Sequence, residues 1–151
     1  MDKVEYLQWD GEQLTLHLED RNILLAKLAE AMIGVEASLH KQGWTTVVSR
    51  DEAAELAIED FELVTDGSGW LGFSVATPWF SNAPVVAEEF IAGIDLDTAV
   101  DILIAAAKVA QVSRIVVGTR AAPNGKHLGL SRVYQAKGLS ITTIELTLET
   151  P

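Results

Sequence analysis

An apolar run from Ile102 to Ala110 constrains the fold more than any other feature of this chain. It reads Ile-Leu-Ile-Ala-Ala-Ala-Lys-Val-Ala. A helix over these residues is apolar on almost every face, and such a helix has to be buried against other elements. Strand-like runs lie on either side of it, at 85–92 and 114–119. The three segments predict a βαβ unit in the second half of the chain, with its helix packed on a sheet.

Strand and helix periods predict the other elements. Apolar residues alternate on either side of Asp10-Gly11, a turn dipeptide of β-hairpins. They recur at steps of three and four from Arg21 to about Gln42, and Gly43 marks the helix end. In chain order, we predict strands 4–9 and 14–18, helix 21–42, helix 51–57 capped by Ser49 or Asp51, strands 61–65, 70–76 and 85–92, a helix capped by Asp97 or Thr98 that runs to Ala110, strand 114–119, a helix over about 127–137, and strand 140–148.

The composition fits a single α/β domain over residues 1–151. Of the 151 residues, 48% are apolar and 22% are charged, which is enough to bury a sizeable core. The chain has no cysteine, so disulfides and thiolate catalysis are excluded, and we expect a cytoplasmic location. The first residues are acidic, and no apolar run approaches about 18 residues. We therefore expect neither a signal peptide nor membrane binding.

The net charge of −11 is unevenly distributed along the chain. Residues 1–101 hold 20 acids and 5 bases, whereas residues 102–151 hold 6 bases and 2 acids. The acidic part should repel nucleic acid, and it favours a cationic partner or simple solubility. The basic part could face an anion such as the phosphates of coenzyme A, or the acidic part of a second subunit. A protein partner or a homo-oligomer is therefore expected.

A tyrosine followed four residues later by a glycine closes the predicted fourth helix, at Tyr134 and Gly138. Together with the strand, apolar helix and strand that precede it, this pair resembles the closing part of the GNAT superfamily of N-acetyltransferases. The order of elements over the whole chain is similar too. The resemblance implies a single domain in which helices flank a mixed central β-sheet.

The same resemblance implies a site for acetyl-CoA and an acceptor amine. Tyr134 matches the family's acid, which protonates the leaving thiolate, and Glu88 or Glu89 would be the general base. An alternating strand with its glutamates in solvent or in ion pairs is the structural alternative for those two residues. The residues that would contact the cofactor are Phe90, Ile91, Thr98, Ala99, Val100 and His127. His127 stands where family members often have an asparagine, seven residues before the tyrosine.

The segment that would hold the cofactor's pyrophosphate departs from the family's pattern. The family places two small residues, usually glycines, at the start of the buried helix, so that backbone N–H groups can approach phosphate. Here these positions fall on Asp97 and Ala99, or on Thr98 and Val100. With Asp95 and Asp101, Asp97 adds negative charge at this place, and each contact with a phosphate would be repulsive by about 1 kcal/mol even at aqueous dielectric. The same aspartates are good helix caps.

Two functions follow as hypotheses. The first is a degenerate GNAT-fold protein without a cofactor, an interaction or structural module that resembles proteins encoded among the structural genes of tailed phages. A virion location would follow from it. The second is an acetyl-CoA-dependent N-acetyltransferase for a cationic amine. The histidines His17, His40 and His127 have no ligand spacing, so no metal is expected.

One short segment could serve a partner. Four tryptophans are expected in the core or on a sheet face, but Trp79-Phe80 lies between Pro78 and Pro84 in a turn-like segment. An exposed aromatic patch for protein binding is the alternative there.

Overall fold

The computed structural model describes residues 2–44, 47–118 and 126–142, the first four residues of the last range by their backbone alone. In chain order the elements are β1 (Lys3–Trp9), β2 (Leu14–Asp20), α1 (Arg21–Lys41), α2 (Arg50–Asp60), β3 (Glu62–Thr65), β4 (Trp70–Ala76), β5 (Val85–Ala92), α3 (Leu96–Ala110), β6 (Ile115–Val116) and α4 (Lys126–Ala136).

The strands of the described ranges form one six-stranded mixed sheet in the order β2-β1-β3-β4-β5-β6. The pairs β1–β3 and β5–β6 are parallel, and the other neighbours are antiparallel. Short connections join the antiparallel neighbours. Parallel neighbours need a longer crossover: β2, α1 and α2 lie between β1 and β3, and α3 lies between β5 and β6. The predicted mixed sheet and its βαβ unit, β5-α3-β6, are confirmed.

Helix α3 covers one face of the sheet. Ile102 and Leu103 are fully buried, and they pack with Val64, Leu71 and Val86 of the sheet. The near-continuous apolar character of this helix is thus explained by its position over the strands. Helix α3 is the largest single contributor to this face of the core.

Helices α1 and α2 cover the opposite face. Leu24 and Leu28 of α1 are fully buried there, and they pack with Ala57 of α2, Leu63 of β3 and Phe90 of β5. The three- and four-residue steps that predicted α1 therefore mark the face that it buries. None of the helices in the described ranges combines the length and apolar character needed to cross a membrane.

Side chains cap the start of three helices. The Asp20 carboxylate accepts hydrogen bonds from the N–H groups of Asn22 and Ile23, and Ser49 Oγ accepts one from Glu52. The cap of α3 is Asp95. The prediction of Asp97 or Thr98 was wrong, because the chain turns at Gly93, where φ is +76°, and enters the helix two residues earlier than expected.

Two predicted strands differ from the structure. Of the predicted strand 114–119, residues 114–118 are described, and they form a strand at Ile115–Val116, the length over which it pairs with β5. Strand 140–148 was predicted from its alternation, but residues 140–142 are not in a strand, and the remainder of that prediction lies outside the described residues.

Candidate functional site

The parallel strands β5 and β6 separate after a short contact. Between the described residues of β5 and β6, the pairs are Val86 with Ile115 and Ala87 with Val116. Strand β5 continues to Ala92 and remains paired with β4. Within the part of the chain that the structure describes, residues 88–92 therefore have a strand neighbour on one side only.

A β-bulge at Glu89 sets which side chains of β5 lie on each face of the sheet. Gly72 lies opposite Phe90 and Phe73 lies opposite Glu88, so Glu89 is the extra residue of β5. Val86 consequently packs on the α3 face and Phe90 on the α1–α2 face, although residues four apart in a regular strand share a face. Gly72 permits this because the Phe90 ring occupies the space where a Cβ would lie.

The two candidate bases have different surroundings. Glu89 is exposed, and its Oε1 accepts a hydrogen bond of 2.7 Å from Ser74 Oγ. Glu88 precedes the bulge, and its carboxylate lies near enough to Tyr134 to act on the phenol electrostatically. The structure thus brings together Glu88 and Tyr134, and it directs Glu89 toward Ser74.

Tyr134 is buried at the end of α4, with 5% of its surface exposed. Burial first, and then the charge of Glu88, raises the pKa of Tyr134 to about 12. The phenol is therefore protonated at neutral pH, as a proton donor has to be. Thiols ionise near 8.5, so proton transfer from this phenol to a thiolate is uphill, and it would remain uphill at the ordinary tyrosine pKa of 10.0.

Two N–H groups in the first turn of α3, those of Thr98 and Ala99, are bonded to oxygens of Asp95. Asp95 Oδ1 accepts from the Thr98 N–H at 2.9 Å, Asp95 Oδ2 accepts from the Thr98 hydroxyl at 2.9 Å, and the Asp95 carbonyl accepts from the Ala99 N–H at 2.9 Å. A carboxylate thus lies where an anion would bind at a helix N-terminus. The Thr98 N–H bond, then the Thr98 hydroxyl, lower the pKa of Asp95.

Lys137 places the end of α4 against the first turns of α3. Its Nζ lies 3.7 Å from Asp97 Oδ1 and 3.6 Å from Asp101 Oδ1. Both carboxylates are more than half exposed, so each ion pair contributes little to the free energy of unfolding. Lys137 supplies one positive charge beside three aspartates, Asp95, Asp97 and Asp101, so this turn keeps an excess of negative charge.

The β3–β4 loop supports the turn between β5 and α3. The Asp66 carboxylate accepts from the N–H groups of Ser68 and Gly69, and Ser68 Oγ lies 3.2 Å from the Gly93 carbonyl oxygen. Burial alone would raise the pKa of Asp66, but these bonds and that from the Ser68 hydroxyl outweigh it and lower the pKa. Asp66 also brings a further negative charge near Asp95.

The other predicted cofactor contacts lie on these elements. Phe90 is buried against α1 and α2, and Ile91 is partly buried on the α3 face. Ala99 and Val100 are fully buried in α3. His127 lies in α4 seven residues before Tyr134, and its side chain is outside the described residues. The predicted set thus lies on β5, α3 and α4, and its role in binding stays a prediction.

A cavity of about 250 Å³ lies elsewhere, between α1 and the segment that leads into α2. Its walls are apolar, with Glu36 and Arg50 among its lining residues. It is on the face opposite α3 and contains none of the predicted site residues. Across the described ranges, no cluster of three or more histidines and carboxylates is arranged to bind a metal ion.

Sequence reasoning missed Lys137, Ser68 and the bulge at Glu89. Their partners lie far away in the chain, so no local pattern indicates the contacts. Asp95 could have been found, because an aspartate three residues before a threonine at the start of an apolar helix is typical of a capping residue.

Acid should weaken the cap of α3. The folded-state pKa of Asp95 is below its ordinary value of 3.8, so its stabilising contribution is complete above that value and is lost as pH falls through the folded-state pKa. We expect Asp95→Asn, which keeps a capping side chain, to lose less stability than the unmodified chain between about pH 5 and pH 2.5.

Urea unfolding at both pH values measures this difference. Asp51→Asn is the control, since it removes an exposed carboxylate from the first turn of α2. Equal acid sensitivity of Asp95→Asn and the unmodified chain would contradict the assignment to Asp95.

Comparison with solved structures shows what fold this is. The chain matches an aminoglycoside acetyltransferase, HMB0005, from an uncultured soil metagenomic sample, with 13% identity, complete coverage of both chains and a TM-score of 0.53. It also matches TTHA1254 of Thermus thermophilus with 15% identity, over 87% of this chain and 93% of that one, at a TM-score of 0.47. No family model and no curated protein matches the sequence. The first match shows a GNAT-like, acetyltransferase-type fold.

Proposed function

We propose that this chain is a GNAT-fold protein that does not use acetyl-CoA and acts as an interaction or structural module. The observation that carries the proposal is the Asp95 carboxylate on the Thr98 N–H and hydroxyl. A pyrophosphate needs free N–H groups at the helix start. Here it would have to displace an internal carboxylate from those donors.

Electrostatics supports the same proposal. Asp95, Asp97 and Asp101 lie on the first turns of α3, Asp66 lies nearby, and Lys137 pairs with two of them. Each remaining carboxylate would repel a phosphate by about 1 kcal/mol at aqueous dielectric and by more in a drier site. The contacts of this turn stabilise its own aspartates and Lys137, and its excess of negative charge would repel an anionic ligand.

The loop between β4 and β5 supports an interaction role. Trp79 is 95% exposed and Phe80 is 70% exposed, and their rings form an edge-to-face pair with centroids 5.6 Å apart. Aromatic residues are enriched in protein interfaces relative to the rest of the surface. The predicted locations in the cytoplasm or a tailed-phage virion stay predictions, and the proposal does not depend on either.

Calorimetric titration of acetyl-CoA into the unmodified chain tests the proposal. We expect no binding in the micromolar range. The double variant Asp95→Gly, Asp97→Gly should gain binding of acetyl-CoA. Glycine is tolerated at the N-cap position of a helix, and its introduction frees the Thr98 N–H from the Asp95 carboxylate. The control is Asp51→Gly with Glu52→Gly, which removes the same charge from the first turn of α2.

Micromolar binding by the unmodified chain would contradict the proposal. A gain in the Asp95 and Asp97 variant but not in the control would assign the lost binding to this turn. A gain in both would assign it to net charge instead.

The approach of the partly buried Glu88 to the buried Tyr134 favours a second function, acetyl transfer to a cationic amine. Glu88, or Glu89 at the bulge, would take the proton from the amine as its nitrogen bonds to the acetyl carbon. Tyr134 would give its proton to the sulfur as the carbon–sulfur bond breaks. The structurally similar aminoglycoside acetyltransferase acts on such amines, and the acidic part of this chain would attract them.

Under this second function, Tyr134→Phe should lower turnover by about 10²- to 10⁴-fold, the usual contribution of general acid catalysis. The phenyl ring fills the same space, so thermal unfolding should change little. Release of free thiol from acetyl-CoA in the presence of an aminoglycoside measures the rate. An unchanged rate in an active preparation would remove Tyr134 from the mechanism.

A further inference from the structure

No described strand pairs with the outer edge of β2. Among the described residues, β2 pairs with β1 and with no other strand. Leu16 and Leu18 on this strand are 62% and 59% exposed. Sheets of natural proteins protect such edges with charges, prolines or bulges, but residues 14–18 carry no charge and no proline, and their register with β1 is continuous.

The hairpin's hydrogen bonds show which backbone groups point outward. The Asp10 N–H donates to the Gln13 carbonyl, and the Arg21 N–H donates to the Asp2 carbonyl. Because bonding alternates along an antiparallel pair and the register pairs Tyr6 with His17, the odd-numbered residues of β2 bond to β1. Leu14, Leu16 and Leu18 therefore direct their N–H and C=O groups away from the sheet.

The open stretch has defined ends. At its C-terminal end the Asp20 N–H donates to Glu19 Oε1 at 2.9 Å, and the Asp20 carboxylate caps α1. At its N-terminal end the Asp10 carboxylate accepts from the N–H groups of Glu12 and Gln13 in the hairpin turn. Between these two ends, the outward backbone groups of Leu14, Leu16 and Leu18 have no strand partner among the described residues.

We propose that a second copy of this chain pairs with β2 in antiparallel orientation, so that the two sheets become one. A two-fold axis through Leu16 places Leu16 opposite itself and Leu14 opposite Leu18 of the other copy. Each of these pairs can exchange two backbone hydrogen bonds, and every outward group of the three leucines is then bonded.

The side chains fit the same register. Leu14 and its neighbours on β1, Leu7 and Trp9, pack in the core under α3. Leu16 and Leu18 share that face, because they follow Leu14 at steps of two. The dimer therefore sets leucine against leucine in all three pairs, and it covers the two that are exposed. A self-complementary edge of this kind fits a two-fold partner, and it contains no charge that a different protein would have to match.

Charge predicts how salt affects the dimer. Each copy carries −11, and in this register Glu12 lies near Asp20 of the other copy. The association should therefore be stronger at roughly 500 mM than at roughly 50 mM salt, because salt screens this repulsion. A contact driven by attraction between the acidic and basic parts of the chain would show the opposite dependence.

Sedimentation equilibrium of the full chain from about 1 to about 200 µM tests the proposal. We expect the mass to rise from one chain to two, and Leu16→Lys to remain a monomer because two lysines would meet at the axis. Leu56→Lys, at an α2 leucine that is 45% exposed, is the matched control and should still form the dimer. A monomer at all concentrations and salts, or a dimer that survives Leu16→Lys, would overturn the proposal.

Amide hydrogen exchange gives a second test that needs no variant. The outward N–H groups of Leu14, Leu16 and Leu18 should exchange at least roughly tenfold more slowly in the concentrated than in the dilute sample. Those of Thr15 and His17 already bond to β1 and should change less. Equal rates for the leucine amides at both concentrations would exclude pairing through this edge, even for a protein that forms dimers by another surface.

Discussion

Replacing Gly69 with alanine is expected to lower the free energy of unfolding by about 3 kcal/mol, at the upper end of what overpacking usually costs. An added Cβ would lie 2.6 Å from the Gly93 carbonyl oxygen and would meet the Ala92 carbonyl as well. Backbone cannot swing aside as a long side chain can. The loop is also held by the Thr65 hydroxyl, which donates to the Gly69 carbonyl at 2.7 Å.

Thermal unfolding measures this change, and a midpoint about 6–12 °C lower is expected for a domain of this size. Gly34→Ala is the control. Gly34 lies inside α1 with open space around its Cβ position, so alanine there should raise stability by up to about 1 kcal/mol through helix propensity. Opposite signs for the two substitutions are the expected result. A Gly69→Ala protein as stable as the unmodified chain would mean that the β3–β4 loop is not in close contact with the backbone at Ala92 and Gly93.

Leu103→Ala is expected to lower the free energy of unfolding by about 2–5 kcal/mol, since it removes a fully buried side chain and leaves a cavity between α3 and the sheet. Urea unfolding monitored by tryptophan fluorescence measures it. Val109→Ala is the matched control on the same helix, because Val109 is 78% exposed and should cost no more than about 0.5 kcal/mol. Similar losses at both positions would mean that α3 is not packed as described.

The effect of Leu103→Ala also bears on the candidate site. Helix α3 carries Asp95 at its start and receives Lys137 at its first turns. If the cavity shifts α3 on the sheet, the Lys137 pairs would change, because they join α3 to the end of α4. The acid sensitivity assigned to Asp95 should be retained in the Leu103→Ala protein, because the bonds to Thr98 lie within the first turn of α3.

The order of elements could be predicted because each depends on residues close to it in the chain. The hairpin follows from Asp10-Gly11 between alternating runs, and α1 follows from apolar steps of three and four up to Gly43. The αβ character of the second half follows from the apolar helix that becomes α3. The resemblance to acetyltransferases rested on this order and on Tyr134, and the structural match supports it for the fold.

What the sequence by itself determined, then, is the set of elements, the layered α/β class and the negative charge at the start of α3. These follow from periods, turn residues and composition, which act over a few residues. Tertiary structure decided the strand order, the bulge at Glu89, the approach of Glu88 to Tyr134 and the pairing of Lys137 with Asp97. These contacts join residues that are distant in the chain, and their geometry is set only when the sheet twists and the helices pack on it.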